Sequence, residues 1–260
     1  MKILKTIDST NEYIKRNYEV LNDGYIVRAR TQTSGKGRNG RQFYSPDDSG
    51  LYMSVLIKTI NKSHAEFSAY MAVAVTEVLR EFYNTKSSIK WVNDIFIDGK
   101  KLGGILCESS YMNAKLQYMI VGLGINIYRS DYPIEIIDKT TYLSKYTDNE
   151  IDINVLAEKI VAKFYYYINH ENPLEYLNAY RKSSCVLFED IIVESGNNSF
   201  EARATAIDDL GQLVVVDKNG NVHSLSCGEV HVKLVDSGDR SERHEIDNNG
   251  NANCNSCHML

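Results

Sequence analysis

The sequence predicts an α+β fold, a mixed or antiparallel sheet carrying helices, followed by a small all-β module. Strand-like and helical runs follow one another in mixed rather than strictly alternating order up to Lys182. From Ser183 the pattern changes to short strands divided by turn residues, barrel-like in their spacing.

Ser9 with Glu12 has capping-box spacing and opens a helical stretch. Tyr25 to Arg30 alternates as a strand. Residues 31–49, rich in Gly, Ser, Asp and Asn, read as a long loop, and such loops inside compact domains tend to carry function. Leu51 to Lys58 is a second strand. Ser63 with Glu66 repeats the capping-box spacing, and the apolar pattern through Phe82 marks a helix of several turns. Ile89 to Ile97 and Lys101 to Ser109 are strand-like runs joined across Asp98-Gly99, a hairpin signal because both residues tolerate left-handed backbone. Tyr118 to Tyr128 is a further strand, interrupted by Gly122 and Gly124. Helices are expected at Ile153 to Asn169 and Pro173 to Lys182. The β-module comprises Val186 to Glu194, Phe200 to Ile207, Gln212 to Val216, Val222 to Ser226 and His231 to Val235, with turns at Gly196 to Asn198, Asp208 to Gly211 and Asn219-Gly220. A core that small is expected to pack on the first domain. The expected division is 1–182, 183–236 and a polar, Asn-rich tail, 237–260, expected to be disordered.

The chain has 260 residues and a formal net charge of −5, so a chain-wide basic footprint for nucleic acid is absent and no such partner is expected. The densest basic cluster is Lys36, Arg38 and Arg41. No apolar run reaches the roughly 18 residues of a membrane span. The N-terminus is too polar after Leu4 for a signal peptide, so a cytoplasmic protein is expected. Five Cys without framework spacing agree with a reducing compartment. Cys254, Cys257 and His258 formally match c-type haem attachment, but they stand in the polar tail without an export signal, and no metal site is assigned.

Three segments offer chemistry. In Gly35-Lys36-Gly37-Arg38-Asn39-Gly40-Arg41, glycines let the backbone approach a ligand and three cations attract phosphate or carboxylate oxygens. The run is not a P-loop, since Arg30 and Gly37 stand where Gly and Ser or Thr belong. On its own it fits a solvated basic loop as well as a phosphate cover. The Asp98-Gly99 hairpin would bring Asn93-Asp94 beside Lys101-Leu102-Gly103-Gly104, placing a carboxylate, an amide and a cation together, although Asn, Asp and Gly are also ordinary turn formers. Gly122-Leu123-Gly124-Ile125-Asn126 fails the dinucleotide fingerprint at Ile127, but two strand glycines suggest a bulge or a ligand against backbone.

In this order and spacing, these segments with Ser9-Thr10-Asn11, Gln32 and Lys90-Trp91-Val92-Asn93-Asp94 resemble bacterial biotin protein ligases over roughly residues 5–235. The resemblance implies a class II synthetase-like catalytic domain that binds biotin and ATP, then an SH3-like β-barrel. Because the sequence begins almost at the catalytic segment, it is expected to be a member without the N-terminal helix-turn-helix domain. The implied reaction has two steps. Biotin and ATP, with Mg²⁺, give biotinyl-5′-adenylate, and a lysine of a biotin carboxyl carrier protein or domain then attacks it. Ser9, Thr10, Asn11 and Gln32 would bind the biotin head, and Gly35, Leu102, Gly103 and Gly104 would line its slot. Lys36, Gly37, Arg38, Asn39, Gly40 and Arg41 would order over the adenylate. Phe43 would cover adenine, with Asn93 and Asn126 near the nucleotide. The catalytic set would be Lys101, bridging biotin carboxylate and α-phosphate, Arg38 at the same oxygens, and Asp94 at the incoming amine. Two departures stand out. Lys36 replaces an Arg of the best-known members and lacks its bidentate fork, and Phe43 replaces a Trp. The resemblance allows a homodimer. Rival readings are a lipoate or octanoyl protein ligase, a nucleic-acid-binding regulator, and a redox or metal protein using the Cys254–His258 string.

Overall fold

The computed structural model describes residues 1–59, 63–113, 115–170, 172–195, 198–226 and 229–232. The expected tail, with Cys254, Cys257 and His258, lies outside them, as do parts of the expected turn at 196–198 and the expected strand His231 to Val235.

A seven-stranded mixed sheet forms the first layer, in the order β1-β2-β3-β7-β6-β5-β4. Its strands are β1 (Lys2–Ile7), β2 (Ile26–Gln32), β3 (Gly50–Ile57), β4 (Ser88–Lys90), β5 (Asp94–Ile97), β6 (Lys100–Met112) and β7 (Lys115–Asn126). Only the β1–β2 pair is parallel, and the other neighbours run antiparallel. β1 was not expected. It is an edge strand with both faces largely exposed, so its sequence lacks the apolar alternation of a half-buried strand.

The short helix α1 (Thr10–Asn17) packs on one face of the sheet over β2, β3 and β7. Ile14 seals it against Val27, Leu56, Tyr118 and Ile120. The expected capping box at Ser9 and Glu12 does not form, and Ser9 makes no side-chain cap. Glu12 is instead held by Lys15 at 2.9 Å and Lys36 at 2.5 Å. The long helix α2 (His64–Tyr83) has the capping box expected of Ser63 and Glu66. It lies on the opposite face with α3 (Ile153–Asn169) and α4 (Pro173–Ser183) against it. Asp152 and Asn172 cap the latter two helices through their side chains.

The expected single strand from Ile89 to Ile97 is corrected. Trp91 to Asn93 form a turn, so β4 and β5 are two short antiparallel strands. The hairpin from β5 to β6 turns on Asp98 and Gly99, both left-handed (φ 49° and 71°), as that dipeptide favours.

The C-terminal module is an antiparallel sheet in the order β11-β10-β9-β8-β12, from β8 (Asp190–Ser195), β9 (Asn198–Ile207), β10 (Leu213–Asp217), β11 (Val222–Leu225) and β12 (Glu229–Val232). β8 starts later than expected, after a turn in which Phe188 takes φ 65°. The module packs on the first layer. Its Ile191, Val193, Leu213 and Val215 join the same apolar cluster as α2 and the large sheet. Trp91 Nε1 donates to the Gly211 carbonyl at 3.1 Å, and Arg181 Nε to the Ile207 carbonyl at 2.7 Å.

Candidate active site

On the α1 face of the large sheet a cavity of about 300 Å³ opens between helix start, sheet and glycine-rich segment. One end is made by Ser9, Thr10 and Asn11, all nearly buried at the head of α1. Thr10 N and Oγ1 lie 2.8 Å and 3.1 Å from Gln32 Oε1. Gln32 Nε2 donates to Ser45 Oγ at 2.9 Å. Asn11 Nδ2 donates to Glu108 at 2.7 Å, and Ser54 Oγ donates to Asn11 Oδ1 at 2.5 Å. Ser54, Ser45 and Glu108 were not singled out from the sequence. Ser54 had a signal, being a hydroxyl within the otherwise apolar run of β3, a strand buried along its whole length.

The opposite end holds the charged pair. Lys101 Nζ lies 2.7 Å from Asp94 Oδ1, joined across the β5–β6 hairpin as the spacing predicted. Gly104 lies close beneath them, and a Cβ there would sit 3.1 Å from Asp94 Oδ1 and 3.3 Å from Lys101 Cε. Asn93 Nδ2 donates to the Ile105 carbonyl, which turns its Oδ1 to accept from Arg38 Nη1 at 3.1 Å. Asn126, buried, donates to the Thr141 carbonyl at 3.1 Å.

The segment expected as a loop folds as a narrow hairpin arm. Bridges tie Gln32 to Ser45 and Lys36 to Gln42, and the tip turns on Asn39 and Gly40 (φ 54° and 73°). Lys36, Gly37, Arg38 and Arg41 face the cavity, while Asn39 and Gly40 line a second hollow on the far side of the arm. The two hydrogen bonds from Lys36 and Lys15 pull the Glu12 carboxyl below its ordinary range. Phe43 leans over Gly124, and a Cβ at Gly124 would meet its ring carbons at 2.6 Å and 2.7 Å. A Cβ at Gly122 would fall on the Asn11 amide. The two strand glycines therefore make room for the chain's own side chains, with no bulge at either in the β3–β7 or β6–β7 register.

Three further expected positions do not line the cavity. Leu102 is fully buried, Gly103 packs against the Gly124 carbonyl, and Gly35 sits beneath the arm, where a Cβ would press on Phe43 O and Ser45 Oγ. Residues without a sequence signal complete the wall, notably Tyr132, Ile136 and Thr140 from the segment after β7 and Val230 from β12. Burial pushes the Tyr132 hydroxyl up to about 12. Asp94 is the one carboxylate among the lining residues. Among the described residues no group of three or more His, Cys, Asp or Glu gathers as a metal cluster.

Residues 3–126 match the model of the Biotin/lipoate A/B protein ligase family. The chain's named relatives are biotin ligases. The bifunctional ligase/repressor BirA of Salmonella typhimurium is 26% identical over 239 residues, 90% of this chain and 74% of that protein. The biotin–[acetyl-CoA-carboxylase] ligase of Paracoccus denitrificans is 26% identical over 228 residues, 82% of this chain and 92% of that one. The biotin protein ligase of Aquifex aeolicus, solved with biotin and ATP, superposes with a TM-score of 0.74 at 24% identity, over 90% of this chain and 98% of the other, which bears on the fold.

Proposed function

We infer that this chain is an ATP-dependent biotin protein ligase that makes biotinyl-5′-adenylate and passes the biotinyl group to a lysine of a biotin carboxyl carrier domain. The observation that carries the reading is one cavity with two unlike ends. One is a neutral wall of hydroxyl and amide groups suited to a cyclic urea, and the other bears Lys101, Arg38, Lys36 and Arg41 for anionic oxygens.

In this reading Ser9, Thr10, Asn11 and Gln32 hold the biotin head, and Lys101 meets the biotin carboxylate and the α-phosphate. Those oxygens are anionic and repel one another, so a fixed cation between them lowers the barrier to anhydride formation. Asp94 holds the Lys101 ammonium in place by its 2.7 Å contact. Once the adenylate exists and engages Lys101, the Asp94 carboxylate would be freed to orient an incoming lysine amine and take its proton. The arm with Lys36, Arg38 and Arg41 covers the phosphate and keeps water from the mixed anhydride. Phe43, over Gly124, supplies the aromatic face for adenine. Mg²⁺ would enter on the ATP phosphates, because Asp94 is committed to Lys101. The C-terminal sheet corresponds to an SH3-like barrel in this reading, on its five short antiparallel strands.

The test is incubation with biotin, ATP, Mg²⁺ and a carrier domain, followed by intact-mass measurement. Addition of one biotinyl group to the carrier lysine is expected. No addition, or modification only when lipoate replaces biotin, overturns the reading.

A further inference from the structure

A line of buried and half-buried polar groups behind the neutral end of the cavity terminates in a hydroxyl that has little freedom to turn. Glu108, on β6, accepts from Lys15 Nζ at 2.6 Å and from Asn11 Nδ2 at 2.7 Å. A carboxylate only accepts, so the Asn11 amide is fixed with Nδ2 toward Glu108 and Oδ1 toward Ser54. Ser54 Oγ then lies 2.5 Å from Asn11 Oδ1 and 2.7 Å from Thr10 Oγ1. Thr10 Oγ1 lies 3.1 Å from Gln32 Oε1. The Gln32 amide is fixed as well, because its Oε1 accepts from Thr10 N and its Nε2 donates to Ser45, whose own hydroxyl donates to the Phe43 carbonyl.

Three oxygen–oxygen contacts are thus served by two protons, those of Ser54 and Thr10, since the Asn11 and Gln32 oxygens have none to give. With both protons inside the line, two contacts are hydrogen bonds. With the Thr10 proton turned to the cavity, one proton remains for three contacts, and two pairs of lone pairs face each other. Ser54 is fully buried and Thr10 nearly so, with no solvent to relieve them. The Thr10 hydroxyl therefore shows the cavity a lone pair and never a proton.

We propose that Ser54, which does not itself line the cavity, is a specificity-determining positioning residue. By engaging the Thr10 hydroxyl from behind, it commits Thr10 Oγ1 to accept, so this end of the site selects an acid whose head group offers an N–H donor. The inference rests on the reading of this end as the acid-binding pocket. Biotin carries two ureido N–H groups, and the dithiolane ring of lipoate carries none.

The test compares, by calorimetry on the full chain, biotin with the two cyclic carbamates in which one or the other ureido N–H is a ring oxygen. For the carbamate whose oxygen faces Thr10, wild type should prefer biotin by about tenfold or more, the worth of one buried donor–acceptor match. In Ser54→Ala only the longer 3.1 Å contact to Gln32 Oε1, which already accepts from Thr10 N, still holds the Thr10 proton, so it turns more readily to the ring oxygen and the preference should shrink severalfold. Ser54→Cys, a weak donor of similar bulk, should shrink it in the same direction and serves as the second variant if the smaller side chain unsettles folding. Thr10→Val should abolish the preference, and adding Ser54→Ala to it should change nothing further. An equal weakening of all three ligands in both Ser54 variants is what a merely structural serine would give, and it overturns the proposal while leaving the pocket reading intact. A folded wild-type chain that binds none of the three overturns both.

Discussion

Gly122→Ala tests how the site is assembled, because the structure states where the added carbon must go. A Cβ at Gly122 lands on the Asn11 side chain, 3.1 Å from both Cγ and Nδ2 and nearer still to Oδ1. Asn11 cannot retreat, being 4% exposed and gripped on its far side by Ser54 at 2.5 Å and Glu108 at 2.7 Å. Admitting the methyl group means expelling the amide. That forfeits one neutral hydrogen bond, worth about 1 kcal/mol, and one charge-assisted bond, worth about 2 kcal/mol, for a loss of about 3 kcal/mol. In a chain of this size the thermal midpoint should fall by about 6–12 °C. Asn11→Ala removes the same two bonds and should cost a similar amount. In the double variant the methyl group occupies space the amide has vacated, so its cost should stay near about 3 kcal/mol instead of doubling. Thermal or urea unfolding of the four proteins closes the cycle. If the single costs add to within about 0.5 kcal/mol, Gly122 and Asn11 do not compete for one space and the reasoning fails.

Lys101→Ala leaves Asp94 without its 2.7 Å partner and the acid and phosphate oxygens without a cation, so ATP–pyrophosphate exchange should fall at least about a hundredfold; normal exchange would remove Lys101 from the first step. The Glu12 carboxyl is held below its ordinary value of 4.5 first by Lys36 and then by Lys15, so its contribution is complete above that value and disappears as pH falls through the lowered one. Hydrogen exchange, corrected for intrinsic rates, should show the Gly37 and Phe43 amides of the arm losing protection in acid. Glu12→Gln should be unprotected already at neutral pH, and equal protection in that variant would show that the pair does not hold the arm. Desolvation pushes the half-buried Cys107 thiol up to about 12, so it should alkylate slowly at pH 8 and faster once the chain unfolds; equally rapid labelling of the native protein would contradict its placement.

Much of this architecture could be read where a local rule and a tertiary contact agree. The Ser63–Glu66 cap, the Asp98-Gly99 turn and helix Ile153–Asn169 are such places, and the hairpin was enough to bring Asp94 to Lys101. The misses fall where a partner far along the chain intervenes. Glu12 has the spacing to cap Ser9, but Lys36, 24 residues on, supplies a cation and wins the carboxylate. Trp91 looked like one residue of a continuous strand. Its indole finds the Gly211 carbonyl, and the chain turns there between β4 and β5. Gly122 and Gly124 pointed to close approach, but spacing alone does not say that the approaching groups are Asn11 and Phe43.

The two ends of the cavity differ in what holds them, and the difference suits a reaction with two halves. At the neutral end Thr10, Asn11 and Ser54 are buried and bonded to half-buried Gln32 and Glu108, so that end is held more firmly than the arm. At the charged end the covering arm is exposed from Asn39 to Gln42 and is tied down by a Lys36–Glu12 pair and an Arg38–Asn93 hydrogen bond, both partly open to water. Exposed pairs of that kind contribute about 1 kcal/mol or less, small beside the cost of unfolding the sheet beneath. In the proposed reaction the arm would lift for a carrier lysine while the acid stays seated, and an anionic phosphate drawing Lys36 away from Glu12 would exchange one contact of the arm for another. Lys36 would then have two competing anions, Glu12 before the nucleotide binds and the nucleotide after. That competition gives the lysine at this position a use for which the fixed fork of an arginine is not required.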